Sequence, residues 1–172
     1  MHVTPHESVA VAVALAAAIC DVRSRRIPNL LTFGAAVAAI IAAAWTAGLS
    51  GAGTSAAGWL LALAIWLPIY ALGGMGAGDV KLMAAVGAWL GPAAGLFAAL
   101  YAGIAGAAMA AGVAVARGCV RQTCDNVSLL FMHWRVAGFT PHGQLTLDSS
   151  RSPKLPYAVP IFAGTLLTIW LR

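Results

Sequence analysis

Residues 73–91 read GGMGAGDVKLMAAVGAWLG, and this stretch decides how the chain is built. Four glycines in six residues (Gly73, Gly74, Gly76 and Gly78) interrupt any helix arriving from upstream. Asp79 follows at once. Behind it an apolar run continues to Leu90, where the turn dipeptide Gly91-Pro92 ends it. Upstream, the apolar run 9–20 stops directly on Asp21. The chain has only five acidic residues among 172, and two of them abut sequence apolar enough for a membrane. A charged side chain at the centre of a membrane helix costs about 2.5–3.5 kcal/mol on insertion scales, and its presence marks a functional site by default.

The composition sets the solvent. The chain is 61% hydrophobic and 9% charged, with a mean hydropathy of +0.87, where a soluble domain carries about 25% charged residues. These values predict an all-α polytopic membrane protein, with one membrane-embedded domain over residues 1–172. The segment before the first apolar run holds Glu7 and two histidines and no basic residue, so it does not read as a signal peptide. The net charge of +5 does not predict nucleic-acid binding, because the basic residues sit at the ends of apolar runs and form no patch with interleaved aromatics. Cys20, Cys119 and Cys124 form no C-x-x-C pair, so neither a zinc site nor a disulfide framework is expected.

Six spans are predicted, over residues 6–22, 29–48, 56–73, 79–91, 93–116 and 155–171. The breaks are chemical: Arg23-Ser24-Arg25-Arg26 with Pro28, the Gly/Ser turn at 48–53, the glycines of 73–78, and Gly91-Pro92. On this alternation Arg23, Arg25, Arg26, Lys81, Arg117, Arg121, Arg135, Arg151 and Lys154 fall on one side, and only Arg172 on the other. The positive-inside rule then makes the first side cytoplasmic and both termini extracytoplasmic. Ala99, Gly103, Ala107 and Ala111 form a small-xxx-small ladder suited to close helix packing. The one long cytoplasmic loop, 117–154, carries Val127, Leu130, Phe131 and Trp134 at helical spacing, which predicts an amphipathic helix lying on the lipid surface. His2, His6, His133 and His142 are scattered and read as surface residues.

Both aspartates map to the cytoplasmic ends of their spans. Asp79 lies about 18 Å of helix from Gly91, and Asp21 about 22 Å from His6, against a hydrocarbon core of about 30 Å. The two acids are therefore expected at similar depth, just inside the cytoplasmic boundary. Two carboxyls brought within a few ångströms cannot both ionise cheaply and share a proton. One can then accept a proton from water while the other donates to a carbonyl oxygen, which is acid–base amide hydrolysis without a covalent intermediate. Gly76 and Gly78 let a backbone come close to that pair.

Gly76-Ala77-Gly78-Asp79-Val80-Lys81-Leu82-Met83, with Gly87 and Gly91 beyond, resembles the GxGD block of the type IV prepilin peptidases. Asp21-Val22-Arg23-Ser24-Arg25-Arg26-Ile27-Pro28-Asn29 is similar to that family's first aspartate block. Lys154-Leu155-Pro156-Tyr157-Ala158-Val159-Pro160 is similar to its Pro-Tyr block before the last helix. The resemblance implies a six-span GxGD intramembrane aspartyl protease of the bacterial inner membrane. Its catalytic residues would be Asp21 and Asp79, its substrates prepilins or pseudopilins, and it would need no metal or organic cofactor. The paired C-x-x-C insertion of bifunctional members is missing, so the chain looks like the short, peptidase-only subtype that serves Flp-type tight-adherence pili.

Around the pair, Gly76, Gly78, Lys81, Pro156 and Tyr157 are candidate substrate-binding or site-shaping residues. Lys81 would reach lipid phosphate or an acidic group on the substrate, and Pro156 and Tyr157 would shape the start of the last helix. Two other classes compete. In a proton-coupled transporter the two aspartates would form a relay, but that reading expects polar groups deeper in other spans and internal repeats, whereas the spans are otherwise almost free of charge and show no clear repeat. A non-enzymatic pilus or secretion assembly component would have no need of two buried acids.

Overall fold

A computed structural model describes residues 4–138, 140 and 155–171. The remainder of the 117–154 loop, the charges Arg151, Lys154 and Arg172, His2 and His142, and the side chain of Phe131 lie outside the described residues.

The described residues form five helices: α1 Pro5–Ser24, α2 Asn29–Ala71, α3 Ala77–Ala116, α4 Val120–Ala137 and α5 Ala158–Trp170. The first three are long and apolar enough to cross a membrane, and α5 is a shorter apolar helix. Five helices stand where six separate spans were expected: the second and third predicted spans run together in α2, and the fourth and fifth in α3. Neither long helix is straight. Backbone angles leave the helical region at Ala47 and Gly48 in α2, and at Gly91 in α3, where φ is 76°. Residues eight apart on a straight helix are separated by about 12 Å. Yet a Cβ placed on Gly95 would stand 3.1 Å from the Cα of Gly87, and one placed on Gly51 would run into the carbonyl of Ala43. Each long helix therefore doubles back on itself, at Ala47-Gly48 and at Gly91, and has two antiparallel limbs. The expected Gly/Ser turn at 48–53 shrinks to its first edge, because residues 49–53 are already helical.

α1 begins with a complete capping box. The Glu7 N–H donates to the Thr4 hydroxyl (3.3 Å), the Thr4 N–H donates to the Glu7 carboxylate (2.7 Å), and Pro5 occupies the first turn. It ends where Arg25 takes the left-handed conformation (φ 54°) and donates its N–H to the Asp21 carbonyl at 2.9 Å. Pro28, extended, then starts α2.

α3 is the centre of the bundle, packed against α2, α5 and α1. Leu82, Met83 and Val86 of its first limb are fully buried with Trp66 of α2, Ala14 and Ala17 of α1 and Ile161 of α5. Backbones touch where side chains are missing: a Cβ on Gly58 would stand 2.9 Å from the Gly91 Cα, and one on Gly87 2.8 Å from the Ala62 Cβ. The small-residue stripe that packs in α3 is Gly95, Ala98, Ala102 and Gly106, not the ladder expected from the sequence. Ala99 is buried, but Gly103, Ala107 and Ala111 point outward. The register is chosen by α5, whose Gly164 lies against Ala102 and whose Tyr157 ring lies against Gly106.

Much of the surface outside the core is apolar. Leu30, Trp45 and Leu49 are 86–91% exposed, a surface suited to lipid rather than water. α4 touches only α3 among the described helices.

Candidate active site

Asp21 sits in the last turn of α1 and is 8% exposed. One of its oxygens, Oδ2, accepts the N–H of Ala158 at 3.3 Å. Ala158 is the first residue of α5, so this carboxylate takes one of the N–H groups that a helix start leaves without an intrahelical partner. A contact between positions 21 and 158 cannot be read from the sequence, and it explains how the aspartate is accommodated in the interior.

Asp79 is the third residue of α3, one turn after the helix start at Gly76. The Gly76 backbone donates to the Asp79 carboxylate, while the Asp79 N–H donates to the Gly76 carbonyl at 3.2 Å. This is half of a capping box, with aspartate in the place of glutamate. Oδ1 of Asp79 is buried and has no hydrogen-bond partner among the described residues. Asp21 is near enough to act electrostatically on Asp79, and Asp79 in turn on the Tyr157 hydroxyl. The fold thus brings Asp21, Asp79 and Tyr157 to one pole from three different helices.

Short contacts fix that pole. A Cβ on Gly76 would stand 3.1 Å from Oδ2 of Asp79, and one on Gly78 would stand 3.3 Å from the Cβ of Ile27. The two glycines therefore serve close approach: the first to the carboxylate, the second to the turn that follows Asp21. Ile27 is how the first aspartate block packs on the second, and sequence reasoning did not single it out. Pro156 precedes Tyr157 at the start of α5, and its carbonyl accepts the Val159 N–H at 3.1 Å.

Lys81 has partners that the sequence reading did not name. Its Nζ donates to Oδ1 of Asn29 at 3.0 Å and lies 5.2 Å from the centre of the Phe33 ring, both on the first turns of α2. The lysine ties the helix that carries Asp79 to the start of α2. We expect Lys81→Met, which keeps the stem and removes the charge, to lower unfolding stability by about 1–2 kcal/mol. Thermal melting in detergent reads this, and an unchanged melting temperature would refute the tie.

The opposite pole holds the start of α1 and both reversals. There the His6 ring packs on Trp89, with centroids 5.6 Å apart, so His6 is half-buried rather than a plain surface residue. A cavity of about 290 Å³ lies beside it, lined by Thr46, Thr54, Ser55 and Gly91 among others. No acidic residue lines it.

The sequence profile of the type IV leader peptidase family matches residues 8–111. The match spans Asp21 and Asp79 and stops before Tyr157. No curated protein and no solved structure matches the chain significantly.

Proposed function

This chain belongs to the type IV leader peptidase family, and from that membership we propose that it is an aspartic endopeptidase that removes the leader of type IV prepilins or pseudopilins. The observation that carries the reading is the meeting of Asp21 and Asp79. Asp21, buried, and Asp79, half-buried, come from separate helices and lie within electrostatic reach of one another at one pole of an otherwise apolar bundle.

The pair shares one proton. The ionised carboxylate takes a proton from a water molecule as that water attacks the scissile carbonyl carbon, and the protonated carboxyl donates to the carbonyl oxygen. The tetrahedral diol then collapses: its C–N bond breaks, the leaving nitrogen receives the proton held by the first carboxyl, and one diol hydroxyl returns its proton to the second carboxylate as the C=O bond re-forms, which restores the shared proton. The Ala158 N–H keeps Asp21 in one orientation, and Gly76 does the same for Asp79. Gly76, Gly78, Pro156 and Tyr157 shape the opening through which the substrate backbone reaches the acids.

The two limbs of α2 and of α3, with α1 and α5, make six crossings, and the pole with both aspartates faces the cytoplasm of a bacterial inner membrane. The arginines at 23, 25 and 26 support that orientation. α4 rests on the same leaflet with Val127, Leu130 and Trp134 toward lipid.

The direct test is co-expression with a prepilin bearing its leader. Loss of the leader on a gel is expected with the chain present and not without it. A precursor of unchanged length in both would refute the reading.

A further inference from the structure

α1 leans on α5 and α3 and meets α2 at few places. Between α1 and the first limb of α2 this leaves a lateral groove of about 600 Å³. Its lining includes small residues, Ala16 on α1 and Gly34, Ala35 and Ala38 on α2, beside larger apolar ones such as Leu31 and Trp89. At Gly34 the space is open, with nothing within 4 Å of where a Cβ would stand. Through Ala38 and Trp89 the groove joins a second one, of about 560 Å³, which reaches Trp45. No residue lining either is charged. From Pro28 to Trp45 the track follows about 26 Å of helix, close to the thickness of a bilayer's hydrocarbon core. One end is walled by Cys20 and Pro28, and Cys20 is the residue before Asp21.

We propose that this groove is the docking site for the hydrophobic N-terminal helix that the family resemblance implies for the substrate, seated with its N-terminal end beside Asp21. The proposal rests on the peptidase reading and adds to it where the uncut part of the substrate lies. The glycine and alanines of α2 in this lining let two helix backbones approach closely there, which is how helices associate where no hydrophobic effect separates them from lipid. An acyl chain would also wet an apolar groove. It would need neither a track of full membrane length nor an end at the carboxyl pair. A helix seated there delivers the peptide bond just beyond its first turn to the two aspartates, so the register of cleavage is set by where the apolar segment begins.

Two glycines make a matched test. Gly34 and Gly103 are both helical and exposed, and both have open space at the Cβ position, but only Gly34 lies in the groove. Leucine at either favours the helix over glycine, so neither variant is expected to unfold. Gly34→Leu is expected to slow processing of a membrane-inserted precursor roughly tenfold or more, and Gly103→Leu to leave it within roughly twofold. Equal rates in the two variants, fast or slow, would overturn the proposal.

Binding is read separately from cleavage in Asp79→Asn with Cys119→Ser and Cys124→Ser, which leaves Cys20 as the one thiol. Under mild oxidation, Cys20 is expected to cross-link to a cysteine at the N-terminal end of the precursor's apolar helix and not to one at its far end. Equal cross-linking at both ends, none at either, or Cys20 pairing only with a second copy of the chain would overturn the groove assignment. If the wild-type chain removes no leader, the peptidase reading fails instead, and the Cys20 cross-link alone decides the groove.

Discussion

Asp21→Asn and Asp79→Asn are each expected to slow leader removal by roughly 10²–10⁴-fold, with the chain still inserted and folded. Asparagine keeps the shape of the side chain and removes the group that gives and takes the proton. On the proposed mechanism each acid completes the other, so the double variant should be no slower than the worse single one, as happens when residues act as one unit. The measurement is a time course of leader removal in membranes, with melting temperature as the control for folding. Asp21→Asn keeps an oxygen able to accept the Ala158 N–H, so loss of activity there would report chemistry rather than a lost helix contact. A single variant that processes at the wild-type rate would sink the two-acid mechanism.

The largest effect on stability is expected where α2 and α3 touch backbone to backbone. A Cβ on Gly87 would stand 2.8 Å from that of Ala62 and would also press on the Gly58 carbonyl, while Gly58 faces Gly87 and Gly91 in return. Neither side can yield by turning a side chain, because most of the contact is main chain. Gly87→Ala is expected to cost about 1–3 kcal/mol, the usual range for overpacking a tight core. Gly87→Leu should cost more and prevent the second limb of α2 from seating on the first limb of α3. Thermal unfolding in detergent reads both. The same substitutions at Gly103, which meets nothing, are the control. Loss of activity should follow loss of fold at Gly87, whereas at the aspartates activity goes and the fold stays.

These two predictions draw on different levels of the chain. Asp21 and Asp79 were legible as candidates because charge is scarce in this composition and each acid abuts an apolar run. Gly76 and Gly78 were legible as points of close approach, but not what they approach. The partner of Gly78 is Ile27, on a turn that shares no local pattern with it. Lys81 was read as a side chain reaching for phosphate, since nothing in its neighbourhood announces Asn29 or Phe33.

By itself the sequence determined the solvent, the apolar helices, most of the points where they break, and the two acids to watch. Those follow from local composition: glycine and proline end helices, and a run of alanine, valine and leucine has nowhere to go but lipid or core. Only the tertiary structure decided which helices pair, that α2 and α3 fold back on themselves, which stripe of α3 is buried, and that the start of α5 holds Asp21. The reason is that helices which are apolar all round carry no amphipathic face to read. Gly103 and Ala107 look as well suited to packing as Ala102 and Gly106, and the choice between them rests on Gly164 and Tyr157, which belong to another helix.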